Sequence, residues 1–453
     1  VPPLRRPARF NTLNVYNLVQ HPLRLAASDH LFAFRRYGRG RHFYLNLGVR
    51  EAPDWLEDVD FDAVIYHTTF FSQRWAAQQF LDQLEAAAPL KKLGGVKVAL
   101  PQDEFLQTRM LNDFMTEFEI DHIFSVAAES EWPKIYPGVD RERVGFTQLL
   151  TGYLDDRTRG RLERFVKPLD ERPTDVGYRA WAAAPWLGRH GVLKRSIGER
   201  VEERAGDYGL VTDLSNRDSD VFNGDDWLRF LCGCKYTLGV EGGASLLHPD
   251  SEIIERTERY VAAHPDADFD QIEAACFPGE DGRLSYFAIG PRHIEACATR
   301  TCQVLVEGDY QEVLRPGEHY IELKADLSNL DQVLETMRAD ELREQITERA
   351  YADVIASGRY SYREMVRTVE QVSLAGAGGE AAPLRSAREA LLLARDRLAE
   401  RIGWGRVIYR LRYAPRVQPL LARISPFLPH HLLPAVWRRA RRTLAARGSG
   451  SAG

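Results

Sequence analysis

Residues 285–323 read Ser285-Tyr-Phe-Ala-Ile-Gly290-Pro-Arg-His-Ile-Glu295-Ala-Cys-Ala-Thr-Arg300-Thr-Cys-Gln-Val-Leu-Val-Glu-Gly308-Asp-Tyr-Gln-Glu-Val-Leu-Arg-Pro-Gly317-Glu-His-Tyr-Ile-Glu-Leu323. The pattern predicts loop, short helix, buried strand, turn, short helix, turn and strand. Gly290-Pro291 marks a helix start, because proline lacks the N–H that the first helical position leaves unpaired anyway. Free amides at such a helix mouth are a natural seat for an anion. Glu295 lies about one turn further in. Val304-Leu-Val306 is short, branched and apolar, as a buried parallel strand should be.

The order of these features, a helix carrying a glutamate, an apolar strand, an acidic-Gly step and then Leu-Arg-Pro-Gly, resembles the donor-site signature of group 1 glycosyltransferases, with the CgeB-like branch nearest. The resemblance covers roughly residues 10–372 and is stronger over 174–372. It implies an α/β protein of the GT-B class, two Rossmann-like domains with a cleft between them, plus a basic helical C-terminal tail. It further implies that Glu295 holds the ribose hydroxyls of a sugar nucleotide. Many retaining members carry a second glutamate eight residues earlier; here that position is Phe287, so the stereochemical outcome stays open.

Outward from this stretch, 453 residues suffice for two or three domains. An apolar fraction of 44% and a charged fraction of 28% are those of a globular protein. No run of about 18 uncharged apolar residues offers a membrane-spanning helix, and residues 1–7 carry no apolar signal core. The five cysteines (Cys232, Cys234, Cys276, Cys297, Cys302) lack zinc-like spacing and are expected as buried thiols. We expect a cytoplasmic chain, peripheral at the inner face of the cell membrane.

Alternating strand and helix patterns before residue 150 predict a parallel sheet with covering helices. Ligands in such sheets sit outside the carboxyl ends of the strands. His67 follows the strand at 62–66, and Gln102-Asp103-Glu104 follows the strand at 95–100. His30 stands near the start of a helix that Asp29 is expected to cap. Asp103 or Glu104 is placed to take a proton from an acceptor hydroxyl, and His67 or His30 to do the same or to bind donor sugar. The alternative for each is structural: a helix cap for Asp103, backbone bonding for His67. His42 and His122 lie inside strands and are expected to be structural.

Polar residues 151–174 form the expected crossing between domains 1–165 and 166–372. Arg179 ends a strand and Lys194 opens a helix, the positions that match the family's two cations for the donor diphosphate, with Arg189 and Arg195 as rivals. Two cations would stabilise charge on a leaving diphosphate without a metal, so neither metal nor cofactor is expected. Gly242-Gly243 after the next strand would let backbone amides approach phosphate or sugar, and Pro291 opens the helix of Glu295. Residues 246–284 read as an insertion, and 330–372 as helices that return to the first domain.

Residues 373–384 read as a linker. From Arg385 onward the chain holds 15 Arg, no Lys and three acids, a net +12 against −17 for the rest. Arginine interleaved with Trp404, Tyr409, Tyr413 and Trp437 over 385–447 fits an anionic membrane surface. A helical pair packed on the body or joining two subunits as a homodimer is the alternative, and no nucleic-acid motif is present. The function so implied is transfer of a sugar from a nucleotide-sugar donor to a glycan, lipid-linked or other hydroxyl acceptor. The rivals are an epimerase or hydrolase of the same fold, or a non-catalytic sugar-binding protein at the membrane.

Overall fold

A computed structural model describes residues 10–18, 25–162, 164–222 and 224–375 of the chain. The linker beyond residue 375 and the basic tail at 385–453 lie outside the described residues, as does any role of that tail at a membrane. Among the described residues no helix is long and apolar enough to cross a membrane.

The first half is a six-stranded sheet formed by β1 (Asn11–Tyr16), β2 (Arg41–Asn46), β3 (Ala63–Tyr66), β4 (Val96–Ala99), β5 (His122–Ser125) and β6 (Gly145–Gln148). Its order is β2-β1-β3-β4-β5-β6, every pair parallel. The second half holds β7 (Thr174–Arg179), β8 (Thr212–Ser215) and β9 (Cys234–Gly239). A two-stranded ribbon follows, β10 (Gly242–Ala244) with β11 (Tyr286–Ala288), then β12 (Cys302–Val306) and β13 (Tyr320–Leu323). Its five-stranded parallel sheet runs β13-β12-β9-β7-β8. β12 is buried along its whole length, as a parallel strand covered on both faces must be. In each sheet the chain leaves the first strand for one neighbour and then returns to its other side. This puts topological switch points at β1/β3 and at β7/β9, where such sheets bind ligands. The two Rossmann-like halves are the GT-B plan expected above.

Each half has its own core, Leu13, Val15, Val64, Tyr66 and Phe114 in the first and Val176, Tyr236, Val304 and Leu334 in the second. The first core also takes in Trp186, Tyr286 and Ala288 from across the boundary. The insertion is pinned to the first half by backbone: the His248 N–H donates to the Phe105 carbonyl at 2.8 Å and the Thr108 N–H to the His248 carbonyl at 3.0 Å.

The chain crosses out through 151–173 and back through 357–361. The two crossings pair, with the Leu154 N–H on the Tyr360 carbonyl at 2.9 Å and the Tyr362 N–H on the Leu154 carbonyl at 3.1 Å. The helix Tyr362–Ser373 then lays Tyr362, Met365, Val366 and Val369 on Phe34, Ile65, Val98 and Leu100 of the first half. Glu370 ties it down by pairing with Arg39 and His42, each at 3.3 Å. The expected return of the last helix is thus observed, and the range 166–372 is corrected: residues 362–372 belong to the first half.

Three local expectations also change. Asp29 does not cap its helix, which spans Leu25–Tyr37 and places both Asp29 and His30 in its interior; Asp29 pairs with Arg36 at 3.1 Å. The strand expected at 208–212 runs instead from Thr212 to Ser215. Residues 286–288, expected as loop, pair with Gly242–Ala244. All five cysteines are free and buried.

Candidate active site

At the switch point of the first sheet, His67 ends β3 and caps the short helix that follows: its Nδ1 accepts the Thr69 N–H at 3.1 Å. That bond leaves the His67 proton on Nε2, which donates to His30 Nδ1 at 2.7 Å. His30 therefore carries its own proton on Nε2. Burial pushes His30 down to about 4 and, with His30 beside it, His67 well below the usual histidine range. With Nδ1 occupied by the Thr69 N–H and Nε2 by His30, His67 has no nitrogen left to take a proton and positions His30 instead.

The 102–104 loop divides its expected roles. Glu104 is fully buried; it accepts from Ser125 Oγ (2.6 Å), Tyr136 OH (2.5 Å) and the Val126 N–H (2.6 Å). It is corrected from candidate base to structural carboxylate. Burial raises its pKa against those hydrogen bonds and the nearby Arg74. Asp103 sits at the surface of the same loop in left-handed conformation, φ 50°, and accepts the Trp75 indole N–H at 2.9 Å. It caps no helix, since Gln107 precedes the next one. Buried Arg74 clamps the loop by donating to the Gln102 and Asp103 carbonyls at 2.7 and 3.2 Å. His42 and His122 are structural as expected, bonded to Glu370 and Thr147.

On the second sheet, Glu295 sits in the helix Pro291–Ala298 and accepts the Trp227 indole N–H at 2.8 Å. Burial raises its pKa, Trp227 and Arg292 oppose the rise, and Asp29 of the other half adds to it. Glu295 thus faces the boundary between halves. At the mouth of its helix, the expected anion seat, one amide is already committed. The Gly290 N–H is taken by His293 Nδ1 at 2.9 Å, and Pro291 packs on Gly152, where a Cβ would stand 2.5 Å from the proline ring.

The cations also rearrange. Arg179 is committed elsewhere: its guanidinium donates to Asp213 Oδ1 at 2.7 Å and to the Asp213 and Asp220 carbonyls and covers Phe222 and Phe230. Arg292 takes its place beside Lys194, held by a bond to the Arg179 carbonyl at 2.8 Å. Burial and then Arg292 lower Lys194 to about 8, while Asp103 across the boundary pulls it up. The rival Arg189 is engaged by Asp270, Glu273 and Asp281, and Arg195 by Glu199. Gly242-Gly243 is no phosphate loop but the strand β10. Gly243 has φ 114°, and a Cβ there would stand 1.8 Å from the Tyr286 carbonyl; its own carbonyl lies 3.4 Å from Lys194 Nζ.

Sequence reasoning missed Arg292, Glu241, His190, Trp75 and Trp181. Glu241 follows β9 at the second switch point, the one signal that would have found it. Its Oε1 accepts the Tyr310 N–H at 2.8 Å, and burial raises it to about 7 against that bond, with Asp309 adding to the rise. His190 Nε2 lies 3.0 Å from the Glu241 carbonyl, and its ring stacks on Phe287 at 4.0 Å. Phe287, where a second glutamate was awaited, is thus part of an aromatic wall. Gln311, in a left-handed turn with φ 50°, receives the Ile289 N–H and reaches the Val126 and Leu149 carbonyls of the first half.

Among the described residues one group, Glu318, His319 and Asp353, brings three metal-ligand atoms within 4.8 Å of one another. It stands before β13, at the sheet end away from the strands' carboxyl ends, and its acids are paired with Arg315 and Arg349. A cavity of about 290 Å³ lies between residues 154–159 and 354–364, beside the crossings rather than at these side chains.

Neither protein-family models nor curated protein sequences match this chain. Among solved structures, Anabaena Alr3699/HepE in complex with UDP and glucose is similar at 10% identity, covering 80% of this chain and 99% of that one, TM-score 0.44. An alpha-glucosyltransferase in complex with UDP and DNA follows at 9%, 81%, 100% and 0.46, and the DNA-modifying enzyme beta-glucosyltransferase at 11%, 80%, 99% and 0.47.

Proposed function

We propose that the chain is a glycosyltransferase that moves a sugar from a nucleotide-sugar donor to a hydroxyl acceptor. One observation carries the reading. Lys194 feels the charge of Arg292 on its own half and of Asp103 on the other, with Glu295 one turn beyond Arg292 in the same helix. A carboxylate opposite paired cations is what the reaction asks for. The acceptor oxygen attacks the anomeric carbon and its proton passes to Asp103. The bond from that carbon to phosphate breaks, its electron pair leaves with the diphosphate, and Lys194 and Arg292 meet the charge. Glu295, held by Trp227, takes the ribose hydroxyls, and the His30 N–H binds donor sugar. The two cations make metal-independent chemistry our reading.

We further read the acceptor as a glycan, lipid-linked or other hydroxyl compound at the cytoplasmic membrane face, reached through residues 385–447. The test is calorimetric titration with UDP, GDP and ADP and their hexose conjugates. At least one diphosphate should bind, and Lys194→Ala and Arg292→Ala should each weaken it about tenfold or more. Full affinity in both variants would remove the assignment. Donor consumed without any acceptor would favour a hydrolase or epimerase.

A further inference from the structure

Six large apolar side chains stand exposed among the described residues, and two of them are indoles: Trp75, 43% exposed, and Trp181, 48%. One comes from each half. Their rings meet edge to face at 6.2 Å, with Trp186 packed beneath Trp75 at 5.6 Å. Indoles carry some of the largest apolar surfaces in a protein and are normally covered. A pair left open across a domain boundary is unlike single exposed apolar residues, which need no explanation. We propose that Trp75 and Trp181 form a stacking platform for carbohydrate, so that the acceptor of the transfer proposed above is a glycan bound through its pyranose faces.

Three observations select this occupant. First, a pyranose presents an apolar C–H face ringed by hydroxyls, and so needs an aromatic surface with a strong acceptor at its rim. Trp75 and Asp103 supply that as one unit through their 2.9 Å hydrogen bond. Second, the unit is fixed in place, because buried Arg74 holds the Asp103 loop at two carbonyls. A preorganised surface loses little freedom on binding. Third, the charge argues against a nucleic acid, whose bases also stack. Such binders track phosphates with a positively charged groove, whereas residues 1–384 carry a net −17 and a carboxylate lies at the platform. Lys194 and Arg292, the nearby cations, belong to the donor side.

The platform rests on the transferase reading only for the word acceptor, and the test separates the two. The full chain is titrated calorimetrically, without donor, with maltopentaose, cellopentaose, chitopentaose and a thymidine decamer. At least one pentaose should bind. Trp181→Ala, which removes neither member of the Trp75–Asp103 hydrogen bond, should weaken that binding tenfold or more. Trp181→Phe should stay within about threefold, since any aromatic ring offers a face. Leu81→Ala, exposed but outside the pair, should change nothing. The proposal falls if no pentaose binds the unaltered protein, if Trp181→Ala binds as well as it does, or if the decamer binds more tightly than every saccharide. A protein that binds a pentaose but no nucleoside diphosphate would sink the transferase reading and leave the platform standing. The reverse pattern would sink the platform alone.

Discussion

Glu241 gives the sharpest test of the electrostatics. It is buried at the end of β9, and its carboxyl is raised from 4.5 to about 7, first by burial and then by Asp309. Below pH 4.5 the carboxyl is protonated in both folded and unfolded chains and contributes nothing to the difference. As pH rises from 4.5 to 7 the unfolded chain releases this proton and the folded one keeps it, so stability is lost. Above pH 7 the full penalty stands, about 3 kcal/mol for a shift of this size. Glu241→Gln removes the charge and keeps an oxygen for the Tyr310 N–H. Its stability relative to the unaltered protein should climb by about 3 kcal/mol between pH 4.5 and 8. The assay is guanidinium unfolding of both proteins at half-unit pH steps. His190, lowered to about 4 mainly by burial, contributes the opposite slope, but it is present in both proteins and cancels. A constant fixed offset in the difference leaves the reasoning intact. A difference flat with pH, or one that favours the unaltered protein as pH rises, refutes it.

Other outcomes follow from the same side chains. Diphosphate affinity should hold below pH 8 and fall above it, by up to tenfold per unit, as Lys194 loses its proton; titrations from pH 6.5 to 9.5 read this, and a flat profile would exclude Lys194 as the binding cation. Glu104→Ala should cost about 1–3 kcal/mol or more by leaving Ser125 Oγ, Tyr136 OH and the Val126 N–H without their buried acceptor, visible in denaturant melts, while its folded fraction keeps the unaltered affinity for nucleotide. Gly243→Ala, forced into φ 114° against the Tyr286 carbonyl, should destabilise by more than about 1 kcal/mol; a neutral melt would argue against the β10–β11 pairing. Glu295→Ala should weaken nucleoside binding about tenfold and leave inorganic pyrophosphate binding unchanged.

Much of the architecture was legible because its signals are local. Val304-Leu-Val306 is too branched and apolar to be anything but an interior strand, and Gly290-Pro291 starts its helix where the sequence places it. The strand ends at His67 and Gln102 were readable for the same reason. The site was legible only in outline, since its charges are assigned by partners distant in sequence. Arg179 and Arg292 look alike in the chain; only the arrival of Asp213, Phe222 and Phe230 decides that Arg179 is spent and Arg292 is available. Glu104 and Asp103 are neighbours, yet Ser125, Tyr136 and Arg74 take one into the core and leave the other outside. At the helix mouth His293, a side chain of its own first turn, takes the Gly290 N–H, which no local pattern announces. The pairing of Trp75 with Trp181 joins residues 106 positions apart, and no periodicity carries it.

The helix that completes the first half has a consequence for synthesis. Phe34, Ile65, Val98 and Leu100 share a core cluster with Met365, Val366 and Val369, and about 200 residues separate the end of the first sheet from that cover. At roughly 5–20 residues per second the ribosome needs on the order of ten to forty seconds to deliver it. Through that interval a nascent chain carries an open oily face with the rest of its sheet ready, and a chaperone that shields it has a defined binding window that shuts when residue 373 emerges.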